Sequence, residues 1–275
     1  MVCAVPQSAS SDPRLTLARP DLAELALEGV LKAGAYRPTR PMQGVLALSD
    51  VRAGPSTDAP RLDQLAFGEV FDVLEVAGGW AWGRARRDGI VGHVAVAGLS
   101  ETVLEPTHRV SALTATADAE TGAGATLGLN ALVTIEEVRG GRGRATRLGW
   151  LSMTELADFH AFEREPAAVA ERFAGAPHVP GGRDAGGLDA PGLVQQALYA
   201  CGIGCPRARD QQHALGREAP LERLMRGDLV FWSDHVAIML DADCLIHAEA
   251  EAGVRVETLA EIITRRAAPE ICRRL

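Results

Sequence analysis

The stretch Gly186-Gly187-Leu188-Asp189-Ala190-Pro191-Gly192-Leu193-Val194-Gln195-Gln196 governs the reading of the whole chain. A glycine pair and an aspartate lead into Pro191-Gly192, and an apolar run begins there. Pro191 suits the first turn of a helix, where its missing N–H leaves no bond unmade. Leu193, Val194, Ala197, Leu198 and Cys201 follow at helical spacing, so a loop feeds a buried helix with residue 190 at its amino end. Backbone N–H groups and the helix dipole favour negative charge at that end. A thiol placed there would ionise readily and become a strong nucleophile. Residue 190 is alanine, which can do neither.

Toward the carboxyl terminus, Gly227-Asp228 turns into a strand over Leu229-Val230-Phe231-Trp232. Residues 235–240 and 244–247 predict two paired strands joined by the turn Asp241-Ala242-Asp243. His235 begins the first and His247 ends the second, so contact across the pair is geometrically natural. Short helices are expected over 167–173 and 258–264. A helix followed by a run of strands gives an α+β class for residues 161–275.

Toward the amino terminus the texture changes. Residues 42–104 hold short alternating segments, at 45–48, 69–74, 80–84 and 89–94, with Gly78-Gly79 and Asp88-Gly89 where hairpin turns belong. So many short strands predict a small barrel. The pattern recurs more weakly over 105–160, with strands near 110–114, 131–135 and 149–151, as an imperfect repeat. Residues 16–41 read as a helical lead-in, an amphipathic helix over 21–33 broken by Pro38 and Pro41. Residues 1–15, small, polar and proline-containing, are expected to be disordered.

Composition narrows the function. The chain has 275 residues and a net charge of −8, which argues against nucleic acid as a partner. No run of 18 apolar residues is present, so no helical membrane insertion is expected. The first residues lack a basic n-region and a long apolar core, so a cytoplasmic location is expected. The cysteines, Cys3, Cys201, Cys205, Cys244 and Cys272, are odd in number and fit neither a zinc ribbon nor a disulfide scaffold.

Residues 161–275 resemble the NlpC-type family of papain-like cysteine peptidases that act on bacterial cell walls. The resemblance is carried by Gly187-Leu188-Asp189, Gly192-Leu193-Val194-Gln195, Cys205-Pro206-Arg207 with Gln211, Arg226-Gly227-Asp228-Leu229-Val230-Phe231-Trp232, His235-Val236-Ala237-Ile238 and Ile246-His247-Ala248. Residues 42–104 resemble a bacterial SH3-like domain through Val51-Arg52-Ala53-Gly54-Pro55-Ser56, Leu65-Ala66-Phe67-Gly68-Glu69, Gly79-Trp80-Ala81 and Asp88-Gly89-Ile90-Val91-Gly92. The resemblance implies a papain-like domain behind two SH3-like barrels. It also implies γ-D-glutamyl-diaminopimelate endopeptidase chemistry on murein-derived peptides, with no cofactor. In that scheme Ala190 stands at the nucleophile position, His235 matches the base and His247 the residue that orients it. Asp189, His178 and Arg207 are then the candidate substrate-binding residues.

The departures from the family pattern bear on activity. Besides Ala190, the residue usually serine is Pro191, and a Pro-Tyr-x-Trp-Gly-Gly pattern reads Pro177-His178-Val179-Pro180-Gly181-Gly182. Cys201 lies eleven residues along the helix, ~16 Å away at 1.5 Å per residue, and cannot take the missing thiol's place. The expectation is a non-catalytic relative that binds a murein peptide or an unknown protein partner. The alternative is an active endopeptidase in which Ala190 is an introduced change. Two further readings are a scaffold acting through its barrels, and a zinc site formed by His178, His235 and His247. The zinc site is disfavoured, and no metal is expected.

Overall fold

The computed structural model describes residues 12–118 and 124–275, which divide into two compact units. One runs to Leu65 and resumes over Glu69–Leu104. The other joins Ala66–Gly68 to Glu105–Leu275.

The first unit is built on a seven-stranded antiparallel sheet. Its spatial order is Arg61–Ala66, Leu48–Arg52, Val91–Ala95, Trp80–Ala85, Val70–Ala77, Arg40–Gly44 and Leu99–Ser100. Phe71, Val73, Ala81, Ala85 and Val94 alternate inward along these strands and meet Met42, Val51 and Leu65 in one apolar cluster. The hairpin between Val70–Ala77 and Trp80–Ala85 turns on Gly78 and Gly79, at φ 57° and 83°, the paired positive values that a two-residue type I′ turn demands. Of residues 45–48, expected as one strand, 45–47 instead span the gap between Arg40–Gly44 and Leu48–Arg52, where Val45 N–H donates to Gly98 O.

The expected lead-in helix over 21–33 is corrected by the structure. Ala23–Glu24 is a short strand parallel to Tyr36–Arg37, and Leu25–Leu27 closes a single 3-10 turn. Tertiary partners override the helical spacing. Ala23 and Glu24 donate their N–H groups to Ala35 O and Leu17 O, and the Glu24 carboxylate accepts two bonds from Arg84 at 2.6 and 3.0 Å. Leu17 and Leu22 pack with Leu74 and Trp82. Of the stretch 1–15 expected to be disordered, residues 1–11, Cys3 among them, lie outside the described residues. Residues 12–15 form a turn held by Arg14 and Asp12, and Val91 N–H donates to Arg14 O.

In the second unit, residues 105–160 form three small antiparallel sheets. They pair His108–Val110 with Leu132–Val133 and Leu156–Asp158, Thr114–Thr116 with Thr126–Gly128, and Ile135–Arg139 with Arg142–Ala145 and on to Gly149–Ser152. The remainder is a six-stranded antiparallel sheet ordered Arg217–Glu218, Ile271–Arg274, Leu229–Phe231, Val236–Met239, Cys244–Glu249, Gly253–Thr258. Helices α1 (Pro166–Glu171), α2 (Ala190–Ala200), α3 (Arg209–Gln212) and α4 (Leu259–Arg266) accompany it.

Strand alternation gives this sheet two apolar faces. Val236, Ile238, Ile246 and Ala248 meet Leu193, Val194, Ala197 and Leu198 of α2 in one core. Ala237, Met239 and Leu245 face Ile262 and Leu259 of α4 in another. Helix α2 is buried nearly all round, because the 105–160 segment covers part of it. Asn130 donates to the Gln196 backbone O and to its Oε1 at 2.9 and 2.8 Å, which satisfies polar groups that burial would otherwise strand.

Candidate active site

Asp189 caps α2. Its Oδ1 accepts from Gly192 N–H at 2.8 Å, and its Oδ2 accepts from Gly181 N–H and from Arg207 Nη2, each at 2.8 Å. The cap places Ala190 in the first turn, with Pro191 beside it where a proline costs no hydrogen bond. The loop before the cap is tight. A Cβ on Gly182 would sit 2.2 Å from Gly187 O, so these backbones approach as only glycine allows.

Arg207, expected to bind substrate, is corrected to a supporting role. Its side chain is 4% exposed and lies behind Asp189 rather than in the cleft wall. Asp189 and His178 do line the cleft, although the Asp189 carboxylate is already committed to the cap and to Arg207.

The two histidines meet as the strand pairing suggested. The ladder pairs Ile238 with Ile246, which sets His235, one residue before its strand, diagonal to His247. His235 Nε2 and His247 Nδ1 are 2.7 Å apart, with the rings nearly perpendicular. The next strand extends the row. His247 pairs in register with Arg255, so Glu257 lies on the same face, diagonal to His247, and its Oε2 is 3.0 Å from His247 Nε2. Arg265 in the last turn of α4 grips both Glu257 oxygens at 2.5 and 3.0 Å, and Arg255 also pairs with that carboxylate. Arg266 bridges Asp234, beside His235, to Glu249, two residues beyond His247, at 2.5 and 2.7 Å. Sequence reasoning missed Glu249, Glu257, Arg265 and Arg266. The alternation Gly253-Val254-Arg255-Val256-Glu257 was the available signal for the strand that carries Glu257.

Burial dominates the electrostatics. It lowers the His235 imidazole to about 4, assisted by the neighbouring His247. Burial also lowers His247, against the opposing pull of Glu257 and Glu249. The Arg265 hydrogen bond keeps Glu257 below the ordinary carboxylate range, so it is an anion at neutral pH. For Glu249, burial pushes upward, but Arg266 and the imidazoles outweigh it and the net shift is downward.

His235 and Glu249 border a cleft of about 320 Å³ whose wall also includes Ala190, Pro191, His178 and Arg266. Ala190 and His235 therefore share one cavity, and no cysteine among the described residues lines it. The half-buried Cys201 and the buried Cys272 have thiols pushed up to about 11 by desolvation, the opposite of an activated nucleophile. Among the described residues, the metal-capable donors gathered within 4.8 Å are His235, His247 and Glu249, without His178. The 2.7 Å between imidazole nitrogens is a hydrogen bond. Two ligands on a tetrahedral zinc with ~2.0–2.1 Å bonds would stand ~3.4 Å apart, so these residues as arranged do not fit that ion.

The arrangement is a hydrogen-bonded imidazole pair, extended by a carboxylate, whose His235 shares one cleft with Ala190 at the amino end of a buried helix. Residues 175–271 match the NlpC/P60 family model, and residues 51–99 match the bacterial dipeptidyl-peptidase Sh3 domain. A γ-DL-glutamyl hydrolase of Bacillus subtilis is 34% identical over 101 residues, covering 34% of this chain and 24% of that protein. A probable endopeptidase, an NlpC homologue of Haemophilus influenzae, is 31% identical over 98 residues, covering 34% of this chain and 54% of that one. The matched region thus spans between a quarter and about half of these relatives. The crystal structure of an NlpC/P60 family protein from Bacillus cereus superposes with a TM-score of 0.75 at 17% identity, over 85% of this chain and 99% of that one, which establishes the shared fold. Residues 175–271 are therefore an NlpC/P60 family domain, and residues 51–99 a bacterial SH3-type domain that precedes it.

Proposed function

We propose that the cleft binds a peptide of the γ-D-glutamyl-diaminopimelate type and does not cleave it. The observation that carries this reading is Ala190, a methyl group in the first turn of α2, in the same cleft as an assembled His235–His247 pair. Acyl transfer by a cysteine peptidase begins with a thiolate at a carbonyl carbon, and no group in this cleft wall supplies one. The relatives named as γ-DL-glutamyl hydrolase and endopeptidase support the peptide class. Isothermal titration with L-alanyl-γ-D-glutamyl-diaminopimelate should show binding, and chromatography of the same mixture should show the peptide intact. Turnover at ordinary enzyme rates would overturn the reading.

One observation favours a second reading, in which the native protein is an active endopeptidase and Ala190 is an introduced change. The row His235–His247–Glu257 is complete and buried, an arrangement a cleft used only for binding has no need to keep. On this reading Ala190→Cys restores hydrolysis that iodoacetamide abolishes. On the first reading the variant binds the peptide and remains silent.

A further inference from the structure

We propose that Glu257 is a positioning residue that fixes the tautomers of both imidazoles, so that His235 turns a bare Nδ1 lone pair toward the cleft and the ligand group seated against it is a hydrogen-bond donor. The argument is one of elimination along a buried row. His247 is wholly buried and the Glu257 side chain is 4% exposed, so water does not supply or remove protons freely between them. Glu257 already faces two guanidinium groups, from Arg265 and Arg255, and is held ionised. An ionised carboxylate only accepts hydrogen bonds. His247 Nε2, at 3.0 Å, must therefore carry the proton, since two lone pairs at that separation would repel. A neutral imidazole has one N–H, so His247 Nδ1 is an acceptor. The ring nitrogen 2.7 Å from it, His235 Nε2, must then be the donor. One proton remains assigned to each ring, and His235 Nδ1 is left bare.

Reversing the row would require a protonated Glu257, which Arg265 and Arg255 oppose, or a charged His247, which burial opposes more strongly than Glu257 and Glu249 favour it. Glu257 sees Arg265, Arg255 and His247. His247 sees Glu257, Glu249, Arg265 and His235. His235 sees His247, Arg266, Glu249 and Asp234. The consequence for the ligand rests on the binding reading above. A group lodged between His235 and Ala190 presents N–H or O–H to the ring.

The test is long-range proton–nitrogen correlation on the full chain labelled with ¹⁵N-histidine, at neutral pH and without ligand. Both rings should show the neutral Nε2–H pattern. Glu257→Gln keeps an acceptor oxygen and should preserve it. Glu257→Leu removes the acceptor and should move His247 toward a tautomer mixture, with His235 following. An Nδ1–H pattern for His235 in the unaltered protein would overturn the proposal, as would an unchanged pattern in a folded Glu257→Leu protein. If that variant does not fold, the spectrum of the unaltered protein still decides. Titration with the alanyl-glutamyl-diaminopimelate tripeptide then reads the donor contact as a shift of His235 Nδ1 alone. A tripeptide that does not bind would sink the peptide reading and leave the tautomer assignment standing.

Discussion

Replacing Asp189 by alanine tests whether the amino end of α2 is held as described. The carboxylate does two separable jobs, capping the helix through Gly192 N–H and neutralising Arg207, whose side chain is 4% exposed. Loss of an N-cap acceptor costs ~1 kcal/mol. Breaking a buried ion pair from one side costs about 3–5 kcal/mol, because it leaves an uncompensated charge. The Asp189 side chain is 18% exposed, so some water reaches the pair and the lower end applies. The sum is about 4 kcal/mol, a large fraction of the ~5–15 kcal/mol that holds a domain together. Urea unfolding of the full chain, followed by tryptophan fluorescence and far-ultraviolet dichroism together, measures it. Asp189→Asn retains a cap acceptor and removes the charge, so it should lose about 1 kcal/mol less than Asp189→Ala. Adding Arg207→Met to Asp189→Ala should return part of the loss, because the guanidinium that has lost its carboxylate is gone. A cost below about 1 kcal/mol for Asp189→Ala, or strict additivity in the double variant, would refute the account of Asp189 as cap and counter-ion.

Further outcomes follow from the same geometry. A thiol introduced by Ala190→Cys sits at a helix amino end in the cleft that His235 lines, so mass spectrometry at neutral pH should find it alkylated by iodoacetamide at least ~10-fold faster than Cys201 or Cys272, which burial pushes up to about 11. His235, facing His247, Arg266, Glu249 and Asp234, is held at about 4 in the fold. Because an unfolded histidine titrates near ~6.5, the unfolded state binds the extra proton first, and stability should fall as pH drops from about 6.5 toward 4. Melting temperature against pH should show that slope and show it reduced in His235→Asn, the remainder coming from His93, His213 and His247, which burial also lowers; the carboxylates Glu249 and Glu257, whose folded values are lowered, contribute their loss only below about 4.5. Zinc at ten-fold molar excess should leave the melting temperature of the metal-stripped protein unmoved, and a rise of several degrees would mean that the His235–His247 hydrogen bond yields to a metal. Gly182→Ala should destabilise the second unit, since its Cβ would meet Gly187 O at 2.2 Å and backbone must shift to admit it. Unchanged unfolding would contradict that packing.

What could be read in the sequence is what local chemistry dictates. A proline after an aspartate and an apolar run at helical spacing fix α2 whatever surrounds it, and the fold places Ala190 in its first turn. Two short strands bearing one histidine each imply that the rings meet, because antiparallel pairing leaves few other arrangements. The lead-in escaped the same logic. Its 21–33 spacing suits a helix, but Leu17, Ala35 and Arg84 supply better partners for Ala23 and Glu24 than a helix would, and those partners lie as far as sixty residues away. Arg207 was misplaced for a related reason. A sequence shows that an arginine is near a site, but not on which side of an aspartate it lies.

Glu257 is the instructive omission. Its neighbours Arg255, Glu261, Arg265 and Arg266 make it look like one member of a solvated charge run. Only the register, which sets Arg255 opposite His247, shows that this carboxylate faces inward and ends the row that starts at His235. Its placement also alters the meaning of Ala190. An alanine where the family resemblance places a thiol invites the view of a decayed site. Yet a buried carboxylate with two arginines is costly to maintain, and its only described side-chain partner besides those arginines is His247. The arrangement therefore makes physical sense if the orientation of the imidazoles is still what the cleft uses, for holding a donor group where a thiol would stand.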